Sequence, residues 1–555
     1  MRHRKSQYNK LVVTLCIAVV IGAIGALATQ GFRGLLNLLS LFLYQHPDSP
    51  VHTASLLPDW LKILTPALGG ILAGYILQKV HYQAGEQTDY MEAITLGNGS
   101  LPIKQSLLRA ASSAISVVSG SSIGREASMI QLAALSGSLL LNQFLSHLPN
   151  KRLLVACGAA AGITAAYNTP IAAALFVSEI ILQTITFETL APLVISAAVA
   201  QLISSSFIGE GAIYHFPALA QHLGISWYWY ALIGMIAGVA APILLKLLNI
   251  TRQLFQKTPI PLWGKLGVGG LIVGVLSVGE TAVWGNGYET VNFLFANPLS
   301  LTALIVLLLY KVSATAVSTG SGAIGGIFTP SLLVGAIMGS IAFHIAAFFQ
   351  PNMANSAIWI ICGMGAFLGA TTHAPLMAIL MLFEMTQAPQ AIVPLMLSTV
   401  CGFILSKGLG STSVYARALP ESHQGTTPID HLIKKDPPTL AYPPNIEIAD
   451  QLFKTYLWPH IYVTDNEFRF LGAISLHDFR ALESKQALAE MLNVPDCYIR
   501  MNYPRIRSDN LVEEAINVFV THQGERVPVI GEDGKLIGYM TKNDLLKRLG
   551  QHWQD

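Results

Sequence analysis

The sequence predicts an all-α membrane part, built of two homologous halves with broken helices, followed by a cytosolic α/β part. Three observations lead to this fold class. The 555 residues are 52% hydrophobic and only 12% charged, whereas a soluble domain has about 25% charged residues. The deficit ends near Pro420, because the preceding three hundred or so residues contain only seven glutamates and no aspartate. The third observation is an internal repeat within the apolar part.

The change in composition sets the domain bounds that we expect. The membrane part should cover residues 1–420, a linker 421–427, and the soluble part 428–555. Arg2, Arg4, Lys5 and Lys10 precede an apolar run that starts at Leu11. Positive charge before a first span places the N-terminus in the cytosol. The run is too long for a signal peptide, so we interpret it as a retained helix.

Ten apolar runs are candidates for membrane helices. A span needs about 20 apolar residues, and several of these runs are too long or too short for one crossing. Many contain Gly, Ser or Pro, and helix breaks at membrane depth occur where they line a cavity or are buried in protein. Such breaks are typical of transporters. The runs are 11–43, 61–78, 153–184, 189–207, 227–249, 265–278, 300–318, 331–349, 356–383 and 391–406.

The repeat relates residues 158–180 to residues 363–385. Gly, Pro and Glu recur in the same order at one offset of 205 positions, with Glu179 opposite Glu384. We interpret this as two homologous halves, about 10–207 and 225–406. Chance matching between Gly- and Ala-rich helices is the alternative, but Pro and Glu are not filler residues.

A Gly- and Ser-rich break at residues 119–128 opens an apolar helix, and residues 325–330 form a similar break in the second half. A helix start exposes unpaired N–H groups and the positive end of the dipole, which makes an anion site. Glu126 lies at the first break. Its carboxylate is itself an anion, so it would compete with a bound halide and leave when protonated. The alternative is a capping glutamate without a transport role, although an ionisable residue in a membrane segment indicates function.

These motifs resemble the CLC family of chloride channels and chloride/proton antiporters. Residues 124–128 (GREAS) resemble the family's GREGP motif, residues 326–330 (GIFTP) match its GxFxP motif, and residues 410–415 resemble the segment with its central tyrosine. The resemblance implies that Glu126 is the gating glutamate and that anion is bound by Arg125, Ala127, Ile327, Phe328 and Tyr415. For Tyr415 the alternative is an interfacial aromatic residue. For Arg125, as for Lys311, the alternative is a buried charge tied to carbonyls or a glutamate.

Two departures from the family pattern concern the anion and the proton. The family's GSGIP motif survives only in outline at residues 97–102, which leaves Gly99 or Ser100 as the candidate for the anion-coordinating serine. The internal proton acceptor of family antiporters corresponds here to Ile180, which cannot titrate. Glu179 beside it is the nearest carboxyl, and both residues are candidates for the proton pathway.

The C-terminal part resembles a tandem pair of CBS domains, about 428–484 and 495–550. Alternating strands and amphipathic helices occur twice, and a Gly-x-x-Ser/Thr-x-x-Asp pattern recurs 66 positions apart. By resemblance, these residues can hold an adenine nucleotide. The alternative is that the hydroxyls only cap helices. The residues are Ser475, Asp478, Thr541 and Asp544.

The resemblance leads us to expect a multi-pass homodimer in a bacterial inner membrane, with both termini cytosolic, in contact with lipid and transporting chloride. Chloride/proton exchange is the leading hypothesis. A gated passive chloride channel is the alternative that Ile180 favours. A CBS-regulated cation channel would need pore carboxylates that are scarce here, and no metal site or catalytic dyad predicts an enzyme. The net charge of +2 gives no indication of nucleic acid.

Overall fold

The computed structural model describes residues 2–45, 49–81, 89–95, 97, 99–144, 150–209, 211–217, 227–350, 356–416, 429–483, 493–510, 512–521 and 524–545. The chain forms two compact units, Met1–Leu419 and Pro420–Asp555. Among the described residues, eight helices are long and apolar enough to cross a membrane. The first unit is therefore an integral membrane unit, as the composition predicted.

Helices make up most of the described residues of the membrane unit. Its helices are α1 (Arg2–Tyr44), α2 (Pro50–Leu56), α3 (Asp59–His81), α4 (Tyr90–Thr95), α5 (Ile103–Val118), α6 (Glu126–Phe144), α7 (Lys151–Tyr167), α8 (Pro170–Phe176), α9 (Phe187–Ile208), α10 (Trp227–Lys257), α11 (Leu262–Gly279), α12 (Tyr288–Ala296), α13 (Leu301–Ser321), α14 (Phe328–Phe349), α15 (Ser356–Thr372), α16 (Pro375–Thr386) and α17 (Ile392–Gly408).

Local sequence explains where these helices begin and end. Ser300 caps α13 through its hydroxyl, which accepts from the backbone N–H of Ala303 at 3.3 Å, as capping residues do. The same helix ends at Gly322, whose φ of +103° is the left-handed conformation that glycine allows. Prolines at the first position of α8 and α16 start both helices without the loss of a hydrogen bond.

The two longest predicted runs are each divided in two. Run 153–184 becomes α7 and α8, separated at Asn168, and run 356–383 becomes α15 and α16, separated at His373. Both residues have a φ of +58°, and a proline follows two positions later in each case. The left-handed residue ends one helix and the proline begins the next, which produces the broken helices expected from the sequence.

Equivalent helices pack in equivalent ways in the two halves. Helix α1 contacts α7 and α9, and α10 contacts α15 and α17 in the same way. Helix α6 packs on α7 as α14 packs on α15. The halves meet along α3 and α11, and α8 contacts α16. One large core of buried apolar side chains extends through both halves.

The C-terminal unit contains two small sheets. Its strands are β1 (Thr439–Ala441), β2 (His460–Thr464), β3 (Phe470–Ser475), β4 (Ile499–Arg500), β5 (Ile506–Arg507), β6 (Arg526–Ile530) and β7 (Leu536–Thr541), with α18 (Ile446–Tyr456), α19 (Leu476–Glu483) and α20 (Val512–Thr521) between them. The described order is β1-β2-β3-β4 in one sheet and β5-β6-β7 in the other. The expected linker 421–427 lies outside the described residues.

Each sheet pairs with a segment that precedes the other sheet's strands in the sequence repeat. In β4, Arg500 pairs with Ala473 of β3 in the first sheet, although β4 belongs to the second repeat by sequence. The equivalent residue of the first repeat, Lys434, forms a bridge with Tyr539 of β7 in the second sheet. Each repeat thus completes the sheet of the other, which joins the pair into one folded unit.

Candidate functional site

The two Gly-rich breaks meet in space. Gly124 and Gly326 exchange two backbone hydrogen bonds of 2.8 Å in an antiparallel bridge. Two residues after each glycine a helix begins, α6 at Glu126 and α14 at Phe328. Each helix start exposes N–H groups with a partial positive charge. The bridge therefore brings the positive ends of two helices to one place inside the membrane unit.

A small cavity of about 50 Å³ lies at this meeting point. About 10–15 Å³ of such space is enough to hold a water molecule, so the cavity has room for a small dehydrated ion. Aromatic rings surround it, with Phe176 contacting Tyr415 at 5.5 Å and Phe328 at 6.4 Å between ring centroids. The lining residues are Tyr90, Glu126, Ala127, Ile130, Ile163, Tyr167, Phe176, Gly326, Phe328, Met381 and Tyr415.

The Glu126 side chain is only 2% exposed. Its Oε1 accepts a hydrogen bond from Asn286 Nδ2 at 2.8 Å and another from Thr329 Oγ1 at 2.9 Å. Its Oε2 is buried without a hydrogen-bond partner among the described residues, and it faces the backbone of Gly124 and Gly326. One carboxylate oxygen is held by donors from the second half, and the other lies in the bridge region.

Tyr415 enters the cavity from a loop tied to α15. The hydroxyl of Ser413 donates to the Thr372 carbonyl at 2.8 Å and accepts from the Tyr415 N–H at 3.2 Å. The Val414 N–H donates to the Thr371 carbonyl at 2.9 Å. The end of α15 therefore sets the position of the tyrosine, whose ring is partly buried against the large apolar core.

Two larger cavities adjoin the central one. Arg125 lines a cavity of about 210 Å³ together with Asn286 and Tyr288. Ile327 lines another of about 140 Å³, beside the residues that flank Tyr415. Of the predicted anion-site residues, Ala127, Phe328 and Tyr415 thus line the central cavity beside Glu126, whereas Arg125 and Ile327 line its neighbours.

Gly99 and Ser100, the candidates for the anion-coordinating serine, are not among the residues that line these three cavities. Gly99 packs against the backbone of Lys151 and Arg152 at the start of α7, and Ser100 is exposed. Tyr90, at the start of α4, lines the central cavity instead. Pro102, the last residue of the segment 97–102, precedes α5, whereas the helix that reaches the cavity is α4.

The sequence did contain a signal for α4. Asp89 accepts from the N–H of Met91 through its Oδ1 at 2.9 Å, which is the hydrogen bond of a helix-capping residue. The Tyr90 N–H is bound to Gln131 Oε1 at 2.9 Å, so α6 holds the end of α4 in place. A capping aspartate before a short apolar helix indicates a helix start.

Glu179 and Glu384 each cap the start of a helix in the opposite half. Glu384 accepts from the N–H groups of Ile171 at 3.0 Å and Ala172 at 2.8 Å, at the start of α8. Glu179 accepts from the N–H of Met377 at 2.9 Å, at the start of α16. This reciprocal exchange gives both glutamates a structural partner. Ile180 is buried in the core, 4% exposed.

Lys311 is a fully buried cation that organises one loop. Its ammonium group donates to the carbonyls of Ala282 at 3.3 Å, Val283 at 3.2 Å and Gly285 at 2.9 Å. This confirms the interpretation of Lys311 as a charge tied to carbonyls. The loop continues into Asn286, which sequence reasoning missed because an Asn between two glycines is also the composition of an ordinary turn.

The four nucleotide candidates of the C-terminal unit are engaged within the protein. The hydroxyls of Ser475 and Thr541 each accept from the N–H three residues later, at 3.1 Å. Asp478 pairs with Arg500 at 2.8 Å, and Asp544 pairs with Lys434 at 2.7 Å. Thr541 also donates to Asp544. These contacts support the helix-capping interpretation of both hydroxyls.

Comparison with known proteins gives matches to both units. A family model described as voltage gated chloride channel matches residues 69–407, and a CBS domain model matches residues 498–551. A putative chloride channel protein, ClcB-like, from Ralstonia nicotianae is 47% identical over 421 residues, which cover 74% of this chain and 98% of that protein. The voltage-gated ClC-type chloride channel ClcB from Escherichia coli O81 is 40% identical over 412 residues, which cover 72% and 97%.

Solved structures share the fold. A slow cyanobacterial Cl⁻/H⁺ antiporter gives a TM-score of 0.65 at 25% identity, covering 73% of this chain and 96% of its own. A eukaryotic CLC transporter gives 0.63 at 17% identity, covering 96% and 98%. The chain has two halves of broken helices, and two helix starts are directed at one buried cavity. These features define the class as an ion-transporting membrane protein. The chain belongs to the CLC family of voltage-gated chloride channels, with a C-terminal CBS domain.

We predict that Gly124→Ala keeps the fold but displaces the Glu126 carboxylate. The added methyl group would lie 1.9 Å from Oε2, the free end of a flexible side chain, and 3.1 Å from the Gly326 carbonyl. Chloride flux from liposomes at neutral pH should rise roughly tenfold, the change expected when a hydrogen bond to a charged group is lost.

Gly326→Ala is the matched control. Its methyl group would meet Oε2 at 3.6 Å, an ordinary contact, so its flux should change much less. A folded Gly124→Ala protein with wild-type flux and wild-type pH dependence would contradict this placement of the carboxylate.

Proposed function

We propose that this protein transports chloride, or a similar small anion, in exchange for protons and that Glu126 is the gating group. The observation that supports this most strongly is the buried carboxylate at the start of α6, facing the bridge between Gly124 and Gly326. Two helix starts make an anion site without a full positive charge. The carboxylate and a halide are therefore competitors for one place.

Protonation would couple the two ions. A charged carboxylate is favoured beside the helix starts and excludes a second anion by repulsion. A neutral carboxyl loses this attraction and leaves the site to chloride. Each opening then requires one proton, which is the outer half of an exchange cycle.

The rest of the proposed anion path follows from the cavity lining. The backbone N–H groups of Ile327 and Phe328, at the start of α14, would bind anion together with the Tyr415 hydroxyl. Ala127 contributes the start of α6 on the other side. Arg125, in the adjoining 210 Å³ cavity, would raise the local concentration of anions by its charge.

A gated passive chloride channel is the second candidate, and the buried Ile180 favours it. Proton movement through a low-dielectric interior needs titratable groups or water, and Ile180 supplies neither at the position that family antiporters use. One residue along a helix turns a side chain by about 100°, so Glu179 faces other neighbours. A water route from the inner side would complete the exchange cycle.

The reversal potential of the full-length protein in liposomes distinguishes the two candidates. An exchanger drives protons uphill when given a chloride gradient, and we expect this result for the wild type. A channel would hold the reversal potential at the chloride Nernst value whatever the proton gradient. Glu126→Ala should raise chloride flux or free it from pH and abolish proton movement, because the competing carboxylate is gone. Unchanged flux and pH dependence in this variant would contradict the gating role.

We predict that Glu179→Gln and Glu384→Gln have similar effects. Each glutamine keeps a carbonyl oxygen for the N–H groups that the glutamate now caps, so both variants should lose stability alike and retain proton pumping at roughly the wild-type rate. Proton pumping and thermal unfolding, both measured on the two variants, distinguish a role in proton transfer from a role in stability. Loss of pumping in Glu179→Gln alone would make Glu179 the internal proton acceptor.

We propose that the CBS pair, with expected units 428–484 and 495–550, regulates transport without forming the pore. The matches to the curated relatives extend over 97–98% of those proteins but over only 72–74% of this chain. About a quarter of this chain therefore has no counterpart in them. An adenine nucleotide at Asp478 or Asp544 would have to displace Arg500 or Lys434.

We therefore expect a chain that ends at Thr427 to fold and to carry chloride. The membrane unit has its own core, to which the described residues of the C-terminal unit contribute nothing. Chloride flux and size-exclusion behaviour of the truncated and full-length proteins would be compared. A truncated protein that inserts normally but carries no chloride would make the CBS pair obligatory.

By resemblance, we also propose a homodimer with one anion path per subunit, surrounded by lipid, in a bacterial inner membrane. The basic residues before Leu11 support a cytosolic N-terminus. By the same resemblance, we propose that the C-terminus is cytosolic as well. Evidence for a single pore on the dimer axis would contradict this assembly.

A further inference from the structure

We infer that Asn286 is a positioning residue for the gate: its side-chain amide holds the Glu126 carboxylate in the closed position and thereby sets the pH at which transport is activated. This inference rests on the proposed gating role of Glu126. The contact is direct, with Asn286 Nδ2 at 2.8 Å from Glu126 Oε1. Hydrogen bonds to charged groups are stronger than bonds between neutral ones.

The donor is delivered by a loop that the structure anchors firmly. Lys311 donates to three carbonyls of that loop, including the Gly285 carbonyl immediately before Asn286. On either side of the asparagine, Gly285 and Gly287 have φ of +66° and +97°, the left-handed region that favours glycine. A methyl group on Gly287 would lie 2.6 Å from Leu333 of α14. The amide of Asn286 therefore has a position fixed from both sides.

The loop is also joined to the segment that opens α6. Trp284 is fully buried, and its indole ring lies where a side chain on Gly120 would be, 2.5 Å from that Cβ position. Gly120 precedes Glu126 in the same Gly- and Ser-rich break. Gate and amide are thus parts of one packed structure, so the carboxylate leaves the amide only by rotation of its own side chain.

Thr329 supplies a second donor from another element. Its hydroxyl lies 2.9 Å from the same Oε1 and 3.4 Å from the Tyr167 hydroxyl. Both donors bind one oxygen, which leaves Oε2 without a partner among the described residues. The donors therefore hold the carboxylate from one side only.

The pH effect has a definite sign. The donors favour the charged, closed carboxylate, so loss of the Asn286 amide lowers the proton activity needed for opening. The pH midpoint of activation should move up by about one unit, which corresponds to a tenfold change in the equilibrium. The other titratable groups that face Glu126 are unchanged by the substitution. They are Arg33, Tyr167, Tyr214, Tyr288 and Tyr415, together with Tyr90 in the same cavity and Arg125, the preceding residue in the chain.

The test measures chloride flux against pH in liposomes with equal pH on both sides, using full-length Asn286→Leu. We expect the midpoint to rise by about one unit, and the same substitution in a Glu126→Gln background to have no further effect. Asn297→Leu is the control, because its amide donates to the Phe293 carbonyl at the exposed end of α12. Should Asn286→Leu fail to insert, Thr329→Val removes the other donor and should shift the midpoint in the same direction.

The outcomes distinguish the positioning role of Asn286 from the gating role of Glu126. An unshifted midpoint in Asn286→Leu, or in Thr329→Val where that variant replaces it, overturns the inference. A shift that persists in Glu126→Gln also overturns it, since the amide would then act through another group. Full pH dependence in Glu126→Gln by itself would instead overturn the proposed function.

Discussion

The first turns of α6 and α14 leave N–H groups without helical partners, and these groups meet inside an apolar protein. Such groups need an acceptor when they are buried. The Gly124–Gly326 bridge pairs the backbone groups of the two glycines that precede these helices, and an anion can accept from the N–H groups of the helix starts. The broken helices, the glycines at the bridge and the aromatic cavity all follow from directing two helix starts at one point.

Carboxylates near helix starts have two uses in this protein. Glu384 caps α8 with both carboxylate oxygens, and Glu179 caps α16 of the other half. These bonds join the halves. Glu126, by contrast, has one oxygen held by side-chain donors and one oxygen without a partner among the described residues. A carboxylate fully used by backbone N–H groups stabilises a structure, whereas one held on a single side can leave.

Much of this arrangement could be predicted from the sequence, because helix breaks, caps and apolar length are local properties. The fold class was confirmed. Glu126 was selected as a candidate because a carboxylate at a Gly-rich helix start is rare in a membrane segment, and it lies at the central cavity. Gly99 and Ser100 are not among the residues that line the central cavity. The spacing of a motif does not show which helix turns inward. Asn286 and Thr329 were missed because their partner lies more than a hundred residues away in sequence.

The central claim is that the Glu126 carboxylate and the transported anion share one place at the two helix starts. Crystals of the wild type and of Glu126→Gln soaked in bromide, with anomalous scattering recorded for both, test this most directly. Our account predicts a bromide ion beside the bridge of Gly124 and Gly326 in the variant, where the glutamine no longer competes as an anion, and none there in the wild type at neutral pH. Equal bromide occupancy in both proteins, or no bromide near the bridge in the variant, would contradict it.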